Sequence, residues 1–400
     1  MKFASQLVNF SAAPGDPFRP MATPIYQTAT FEQEHADSFG EYDYSRSGNP
    51  TRRVLENQLA RLEHGVRGFC FSSGMAAIST VSRLLRTGDE ILVDSDLYGG
   101  TCRLFSKVLE RSGVAVRYAD ATDLREFESQ FSSRTKMVFV ESPTNPLLRV
   151  IDLEKLAGLA RGYKTLLCVD SSTMSPYLQN PLDFGADIVI HSATKFLCGH
   201  SDVTAGVIVV KDEELAEQIY FLQNAEGTAL GPFDSFLLLR GLKTLKLRLD
   251  CQQKNAAVIA GFLSQHPQIT RVLYPGMANS AGYELQRRQA RGSGAVLGFT
   301  TGSVEVSLAI VERTRLFHTC VSFGSIHSTI SLPGSMSHSS VPLEVRAIRE
   351  LPDDLVRLSV GIEDAEDLIA DIEQALSPFA SMRSASSWPT SICSLPGNEN

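Results

Sequence analysis

The sequence predicts an α/β fold built on a mostly parallel sheet. Short apolar, β-branched runs typical of buried strands alternate with segments of helical periodicity from Thr51 to about residue 210. Such alternation indicates βα units, because neighbouring parallel strands need a crossover connection between them. The alternating segments are TRRVLENQLARLE, GFCF, MAAISTVSRLL, EILVD, CRLFSKVLERS, KMVFVE, DLEKLAGLARG, TLLCVD, DIVIHS and AGVIVV.

Composition divides the chain into an arm, two domains and a tail. Residues 1–47 are rich in Pro, Gly and aromatic side chains and show neither helical nor strand period, which predicts an extended N-terminal arm. Residues 48–243 hold the alternating segments and form a large domain. A helical stretch around Gly241 to Leu263 leads into a smaller α/β domain, residues 244–380, with VLGFTT and LVRLSVG as strands. Residues 381–400 are Ser-rich and aperiodic, so we predict a disordered tail.

Composition and charge exclude several classes of function. The 400 residues, 43% hydrophobic and 20% charged, are typical of a globular protein. A formal net charge of −8 argues against nucleic acid and anionic membranes as partners, because both are negatively charged and bind basic surfaces. No apolar run approaches the ~18 residues of a membrane helix. Seven cysteines without CxxC spacing predict buried thiols in a reducing compartment. We therefore expect a cytosolic enzyme, or a plastid one if a targeting segment precedes this chain.

Unusual residues follow three of the predicted strands. They lie at the carboxyl ends of the strands, the edge of a parallel sheet where ligands usually bind. After GFCF, SSGMAA brings Gly74 and Met75 to a helix start, whose free backbone N–H groups can bind an anion. After EILVD, SDLYGG places Tyr98 before two glycines, and after KMVFVE, SPTNP places Asn145 between prolines. Taken singly, each has a structural explanation: an N-cap with a glycine turn, a packed ring and a turn former.

Two charged residues mark the next two strand ends. Asp170 ends the otherwise apolar TLLCVD, and a carboxylate buried there must be paired or protonated. Lys195 follows DIVIHS, and Ser192 and Thr194 stand two apart, so their hydroxyls share a face in extended chain. Together the strand ends supply a phosphate cradle, an aromatic plane, a buried anion and an amine. This combination fits pyridoxal 5'-phosphate, whose aldehyde condenses with a lysine while a carboxylate keeps its ring nitrogen protonated.

Two other interpretations of this part of the sequence are less consistent with its residues. His191, Cys198, His200 and Asp202 are possible metal ligands, but a strand followed by a loop places them on different faces and their spacing repeats no zinc pattern. We therefore expect no metal. The other class is a non-catalytic scaffold that kept the fold, yet a scaffold has no physical need of a buried amine at Lys195. Visible absorption by a lysine-bound cofactor distinguishes the two classes.

Ordered blocks from about Leu7 to Leu376 resemble the Cys/Met-metabolism family of pyridoxal-phosphate enzymes, which includes cystathionine γ-synthases, cystathionine γ-lyases, cystathionine β-lyases and methionine γ-lyases. The blocks are YDYSRSGNPTRRVLE, SSGMAA, DLYGGT, ESPTNP, VDSSTMSP, GADIVIHSATKFLCGHSDVTAG, LRGLKT, SMSHSSVP and VRLSVGIED. The resemblance implies an aspartate-aminotransferase-like fold (fold type I). It also implies a homo-oligomer of at least two copies, with a dimer of dimers usual in the family.

The resemblance further implies roles for individual residues around the cofactor. Lys195 matches the lysine that binds the cofactor and shuttles protons, Asp170 the partner of the ring nitrogen, and Tyr98 the catalytic-site ring that stacks on the cofactor. The residues implied to hold the cofactor phosphate within one subunit are Gly74, Met75, Ser192 and Thr194.

Two more groups follow from the same resemblance. Tyr44 and Arg46 in the arm are implied to reach the cofactor phosphate of the neighbouring subunit. Arg357, with Asn145 and Ser322 nearby, matches the group that binds the substrate α-carboxylate, since a guanidinium can hold a carboxylate through two parallel hydrogen bonds.

Small sequence features bear on which bond of the substrate is broken. Methionine γ-lyases carry a Cys after Tyr-Gly, where this chain has Gly100. The γ-synthases and γ-lyases usually read SLGGVES, whereas this chain reads SFGSIHS, with His327 in place of a glutamate suited to the distal amine. SFGS, VDSSTMSP, FLQNAEGTALGPFDS and SMSHSSVP most resemble plant-type cystathionine β-lyases, although His327 departs from that pattern too. The implied reaction converts L-cystathionine and water to L-homocysteine, pyruvate and ammonia in methionine biosynthesis, with γ-elimination or γ-synthesis as the alternative.

Overall fold

The fold is described here from a computed structural model, which covers residues 1–10, 15–336 and 351–379. Its larger sheet has seven strands in the order β1-β7-β6-β5-β4-β2-β3. The strands are β1 (Arg67–Phe71), β2 (Glu90–Asp94), β3 (Ala115–Ala119), β4 (Thr135–Glu141), β5 (Leu166–Asp170), β6 (Ile188–Ser192) and β7 (Gly206–Val210). Only β7 runs antiparallel to its neighbours, so the predicted mostly parallel sheet is confirmed.

Apolar side chains of this sheet pack on both of its faces, which explains why the central strands read as continuous apolar runs. The helices along this part of the chain are α2 (Pro50–Leu62), α3 (Gly74–Ser82), α4 (Gly99–Leu104), α5 (Leu124–Ser129), α6 (Leu153–Gly162), α7 (Ser175–Leu178), α8 (Glu213–Glu226) and α9 (Pro232–Leu242). The six predicted strands are each found within one residue of their expected bounds.

Two elements of the large sheet differ from the sequence prediction. Strand β3 and helix α5 were not anticipated, because β3 lies at the sheet edge and its AVRYA sequence is only partly buried. The segment CRLFSKVLERS does not form one regular helix either. Helix α4 ends at Leu104, a π-helical turn spans Phe105–Leu109, and a 3₁₀ turn spans Glu110–Ser112.

The second sheet has five strands in the order β10-β11-β12-β9-β8. They are β8 (Arg271–Leu273), β9 (Val296–Thr300), β10 (His318–Thr319), β11 (Thr329–Ser331) and β12 (Val356–Ser359), accompanied by α10 (Leu245–Gln265), α11 (Tyr283–Gln289), α12 (Val304–Arg313) and α13 (Ala365–Leu376). A separate apolar core fills the space between this sheet and its helices. The predicted boundary at residue 243 falls between α9 and α10 and stays a prediction. The tail after residue 380 and most of SMSHSSVP lie outside the described residues.

The N-terminal arm is not wholly extended, contrary to the sequence prediction. Helix α1 (Phe3–Val8) opens the chain, with Leu7 buried in the main core. Gln58 of α2 donates a hydrogen bond to the carbonyl of Gln6, 2.7 Å away, and the ring of Phe3 lies 5.0 Å from that of Tyr177. A helix of six residues is too short for its period to be recognised from sequence, so tertiary contacts rather than local propensity explain it.

Two expectations about the environment of the chain can be compared with the structure. Within the described ranges, no helix combines the length and the apolar character needed to span a bilayer. Four of the six cysteines that the structure describes are buried and none forms a disulfide there, whereas Cys393 lies outside the described residues.

Candidate active site

A cavity of about 400 Å³ opens at the carboxyl ends of the parallel strands, where the second sheet meets the first. This is the edge of an α/β sheet at which ligands usually bind. The predicted site residues that line it are Gly74, Met75, Tyr98, Asn145, Asp170, Ser192, Thr194, Lys195, Ser322 and Arg357. The structure therefore brings together residues that are separated by nearly 300 positions in the sequence.

One end of the cavity has the geometry of an anion site. Helix α3 begins at Gly74, and Ser73 caps it by accepting a hydrogen bond from the N–H of Ala76 at 3.0 Å. The first N–H groups of the helix, those of Gly74 and Met75, have no carbonyl partner inside it. A Cβ atom at Gly74 would lie 3.0 Å from the Cβ of Ser192, so only glycine brings the helix start this close to the end of β6. The helix start and the Ser192 hydroxyl thus border one small space suited to a phosphate.

The two hydroxyls of this end are positioned differently from the sequence prediction. Ser192 is the last residue of β6, and its N–H donates to the hydroxyl of Ser172 at 2.6 Å. Thr194 lies beyond the strand in a turn, where its hydroxyl accepts from the N–H of Ala205 at 3.0 Å. The prediction that Ser192 and Thr194 share the face of one extended strand was therefore wrong, because the chain turns after Ser192. Both residues still line the cavity.

The ring of Tyr98 forms one wall of the cavity. Tyr98 is the N-cap of α4, its N–H donates to Glu141 Oε1 at 2.8 Å, and 38% of the residue is exposed. A Cβ atom at Gly100 would lie 2.3 Å from the Tyr98 ring and 3.1 Å from the sulfur of Met75. Gly100 therefore leaves room for the Tyr98 ring, and a side chain at this position would displace it.

Asp170 provides a buried carboxylate in the wall of the cavity. It ends β5, is 7% exposed, and accepts a hydrogen bond from the N–H of Ser172 at 2.9 Å. Burial raises the pKa of Asp170, whereas the bonds from Ser172 and the charges of His191 and Lys195 act in the opposite direction. A protonated ring nitrogen of a ligand would compensate the desolvation of this carboxylate.

Lys195 lines the same cavity with its amine held by Ser322. Lys195 follows β6 by three residues rather than ending it. Its Nζ donates to the hydroxyl of Ser322 and lies 5.0 Å from the centroid of the Phe323 ring. Burial, with a smaller effect of the Arg357 charge, lowers the pKa of Lys195 to about 8. A lysine with this pKa has a substantial fraction of free amine near neutral pH, as a nucleophile and proton shuttle requires.

Arg357 lies on β12 of the second sheet and is 2% exposed. Its Nη1 donates to Asn145 Oδ1 at 2.8 Å, and its Nη2 donates to the carbonyl oxygen of Ser322 at 2.9 Å. Burial lowers the pKa of Arg357 to about 10, which still leaves the guanidinium charged at neutral pH. Both of these acceptors are neutral, an amide oxygen and a backbone carbonyl. A buried guanidinium oriented by neutral groups is suited to binding an anionic substrate group.

Ser322 connects the amine to the guanidinium. Its hydroxyl accepts from Lys195 while its carbonyl accepts from Arg357, and it does so with a φ of +91°, a conformation that non-glycine residues rarely adopt. The next glycine, Gly324, is also needed, because a Cβ there would lie 2.7 Å from the backbone nitrogen of Phe196. The SFGS sequence thus fits closely around the backbone that follows Lys195.

Three residues singled out from sequence lie outside this cavity. Arg46 donates through Nη1 to the carbonyl of Asn224 at 2.6 Å and stacks 5.5 Å from the ring centroid of Tyr44, and neither lines the cavity. Their role toward a neighbouring subunit stays a prediction. His327 is exposed and packs edge-on against His318, with ring centroids 5.8 Å apart. Its position gives no support to a role in recognising the distal substrate amine.

Sequence reasoning missed several residues that line the cavity, of which Arg103, Glu141 and Phe323 are chemically the most informative. Glu141 ends β4, so the rule that found Asp170 could also have found it. Arg103 lies in α4 and is exposed, which places a second guanidinium at the cavity besides Arg357. Nothing in the local sequence distinguishes Arg103 from an ordinary surface arginine.

The alternative metal site is not assembled in the structure. His191 Nε2 lies 2.5 Å from Glu63 Oε1, whereas Cys198 donates to Asp202 Oδ1 at 3.1 Å and His200 Nδ1 lies 2.7 Å from the Cys198 carbonyl. Among the residues described, no three metal-binding side chains converge. The residues of the cavity instead fit pyridoxal phosphate, because anion site, aromatic wall, buried carboxylate and amine surround one space.

Comparisons with known proteins agree with this geometry. A family model described as Cys/Met metabolism PLP-dependent enzyme matches residues 4–377. The chloroplastic cystathionine beta-lyase of Arabidopsis thaliana is 52% identical over 364 residues, which cover 91% of this chain and 78% of that protein. The cystathionine gamma-lyase of Bacillus subtilis is 46% identical over 356 residues, which cover 89% of this chain and 94% of that protein.

A solved structure extends the agreement to the fold. The crystal structure of cystathionine gamma-lyase from Lactobacillus plantarum complexed with L-serine has a TM-score of 0.92 and 40% identity, covering 94% of this chain and 99% of that one. The predicted aspartate-aminotransferase-like fold and the predicted cofactor are thereby confirmed. This chain belongs to the Cys/Met metabolism family of pyridoxal-phosphate-dependent enzymes.

Proposed function

We propose that this protein is a carbon–sulfur β-lyase that converts L-cystathionine and water to L-homocysteine, pyruvate and ammonia. The observation that carries the proposal is the cluster of Lys195, Ser322 and Arg357. One serine there accepts from the Lys195 amine through its hydroxyl and from the carboxylate-binding guanidinium of Arg357 through its carbonyl. The 52% identity to a cystathionine beta-lyase supports the choice of substrate and bond.

Each cavity residue has a defined task in this reaction. When bound, pyridoxal phosphate supplies an electron sink for the pair left at Cα after its proton is removed. Lys195, with its pKa of about 8, is the base that takes this proton. Arg357 and Asn145 hold the α-carboxylate and so orient the Cα–H bond toward the amine.

The remaining residues would keep the cofactor in place. Asp170 would hold the proton on the ring nitrogen, because a buried carboxylate is most stable beside a positive charge. Tyr98 would cover the ring, and the start of α3 would hold the phosphate together with Ser192 and Thr194. The positions of these residues around the cavity support all three assignments.

The second candidate is a γ-acting relative, a cystathionine γ-lyase or γ-synthase, which the 46% identity to the Bacillus subtilis gamma-lyase supports. The two reactions differ in their products. Cleavage at Cβ of cystathionine releases homocysteine and pyruvate, whereas cleavage at Cγ releases cysteine and 2-oxobutyrate. An end-point assay of the two keto acids decides between them, and we expect pyruvate to predominate. Predominant 2-oxobutyrate would reject the β-lyase and leave the cofactor site intact.

A non-catalytic scaffold is the candidate from a different class, and the buried amine of Lys195 argues against it. Purified protein that shows no visible absorption by a lysine-bound cofactor and forms neither keto acid from cystathionine would favour the scaffold. Lys195→Ala should abolish both the absorption band and turnover, because one amine performs both tasks.

We further propose a homo-oligomer in which Tyr44 and Arg46 reach the cavity of a neighbouring copy, with a dimer of dimers as the expected assembly. The exposure of Phe18, Met21 and Phe39 in the same arm supports an interface there, since large apolar side chains are stabilised when association removes them from water. Arg46→Ala protein mixed with Lys195→Ala protein tests this. Hybrids contain one intact shared site, so activity should partly return, and a mixture without activity would contradict the shared site.

A cytoplasmic location is proposed with these assignments. The plant relatives whose names include chloroplastic support a plastid as the alternative. Fractionation of the source cells with an antibody against this protein distinguishes the two compartments.

A further inference from the structure

Asp96 and Thr144 connect the two loops that carry Tyr98 and Asn145. Both residues are fully buried, and neither lines the cavity. Thr144 Oγ1 donates to Asp96 Oδ2 at 2.5 Å, and the N–H of Leu147 donates to the same oxygen at 3.2 Å. One carboxylate oxygen therefore joins the loop after β2 to the loop after β4.

The hydroxyl of Thr144 also organises its own loop. It accepts from the N–H of Arg149 at 2.9 Å, while the Thr144 N–H donates to the Arg149 carbonyl at 2.9 Å and the Leu148 N–H donates to the Thr144 carbonyl at 3.1 Å. Asn145 lies inside this closed turn, and its amide oxygen accepts from Arg357. A shift of the turn would therefore move the acceptor that orients the guanidinium.

A second buried carboxyl group fixes the loop that carries Asp96. Asp94, two residues before Asp96, accepts through Oδ2 from the N–H of Asp96 at 3.2 Å and through Oδ1 from the N–H of Ala121 at 2.9 Å. Burial, followed by the charge of Asp96, raises the pKa of Asp94 to about 8. The backbone of Asp96 is thus held by Asp94 while its side chain accepts from Thr144 and Leu147.

We propose that Asp96 and Thr144 are positioning residues whose hydrogen bond fixes Asn145, and through it Arg357, for binding the α-carboxylate of the amino-acid substrate. This inference rests on the proposed function, because it takes Arg357 as the carboxylate-binding group. The effect on the substrate is indirect, since Asp96 does not line the cavity and reaches the Asn145 loop through Thr144 and Leu147.

The test compares holoenzyme carrying Thr144→Val, which keeps the shape but loses the hydroxyl, with Thr144→Ser, which keeps the hydroxyl. We expect Thr144→Val to raise the KM for cystathionine about tenfold, the effect of losing one buried hydrogen bond, with kcat changed by less than about threefold. The dissociation constant of glycine, measured by titration calorimetry, should rise by the same factor, because glycine presents little beyond the α-carboxylate and amine. Thr144→Ser should stay within about twofold of wild type in both measurements.

Thr165→Val is the matched control. Thr165 is also a buried threonine whose hydroxyl makes a hydrogen bond, to the carbonyl of Thr135 at 2.9 Å, but it lies at the amino end of the same sheet. We expect this variant to lose stability without a change in KM. If Thr144→Val fails to fold, Asp96→Asn replaces it, with an expected rise in KM of about threefold, because the substitution alters the acceptor of the Thr144 hydroxyl.

Three results from the variants would overturn the inference. The first is an unchanged glycine dissociation constant in Thr144→Val, or in Asp96→Asn where that variant replaces it. The second is a Thr144→Ser protein as impaired as Thr144→Val. The third is a rise in KM in Thr165→Val equal to that in Thr144→Val. Failure of the proposed function looks different. Wild-type holoenzyme would then form predominantly 2-oxobutyrate, or neither keto acid, from cystathionine, while the glycine titration would still decide whether Thr144 positions the carboxylate site. A wild type that does not bind glycine would overturn the inference as well.

Discussion

Removing the hydroxyl of Ser322 should impair Lys195 while leaving the carboxylate-binding group in place. The hydroxyl is the acceptor for Lys195 Nζ, whereas the contact with Arg357 uses the backbone carbonyl, which every residue retains. A hydrogen bond to a charged group contributes about 1.5–3 kcal/mol. If this bond orients the amine in the transition state, Ser322→Ala should lower kcat by roughly tenfold to a hundredfold. The KM should change far less, because Arg357 and Asn145 stay in contact.

The backbone conformation of Ser322 supplies a control within the same position. Its φ of +91° destabilises a non-glycine residue by about 1–3 kcal/mol, and glycine avoids this strain. Glycine in turn lowers the free energy of unfolding by about 0.5–1 kcal/mol, because it has more conformational entropy in the unfolded chain. Ser322→Gly should therefore match Ser322→Ala in kcat but exceed it in the free energy of unfolding by about 1 kcal/mol.

Steady-state keto-acid release measures the first quantity and urea unfolding of the holoenzyme measures the second. A Ser322→Ala protein with kcat within about twofold of wild type would refute the role of the hydroxyl. A Ser322→Gly protein much slower than Ser322→Ala would show instead that backbone placement sets the rate.

Three further outcomes follow from the geometry. Arg357→Lys should raise the KM at least about tenfold with the visible band retained, because a lysine cannot bind both Asn145 and a carboxylate in one plane; an unchanged KM would place carboxylate binding elsewhere. Gly100→Ala should weaken cofactor retention on dialysis, since its Cβ would collide with the Tyr98 ring, and unchanged retention would show that the ring is not needed there. The rate at which pyridoxal phosphate combines with cofactor-stripped protein should rise with pH and level off above about pH 8, because the free amine of Lys195 reacts; a rise continuing to pH 10 would contradict the lowered pKa.

Much of the site could be predicted because parallel strands place their carboxyl ends at one edge. Asp170, Glu141 and Ser192 are each the last residue of a strand, so reading the chain for strand ends locates them without any knowledge of tertiary contacts. Glu141 was overlooked although it fits the same rule. The fold class followed from the same alternation of apolar runs and helical segments.

Other features depend on contacts between distant parts of the chain and leave no local pattern. Thr144 is indistinguishable from an ordinary turn residue until the structure places its hydroxyl against Asp96, 48 positions away. The partly exposed strand β3 lacks the apolar alternation on which strand prediction relies. The turn that moves Thr194 off the strand is held by Ala205, which comes from the following strand connection.

The division of the cavity between two sheets limits how related sequences can be recombined. Lys195, Asp170 and Asn145 belong to the first sheet and its loops, whereas Ser322 and Arg357 come from the second. A chimera joined between α9 and α10 would take the amine from one parent and the carboxylate-binding group from the other. Such a chimera keeps both contacts of Ser322 only if its parents share the SFGS backbone conformation, with the φ of +91° at 322 and the close approach of Gly324 to Phe196. The loop from 322 to 324 is therefore the segment to match first when parents are chosen.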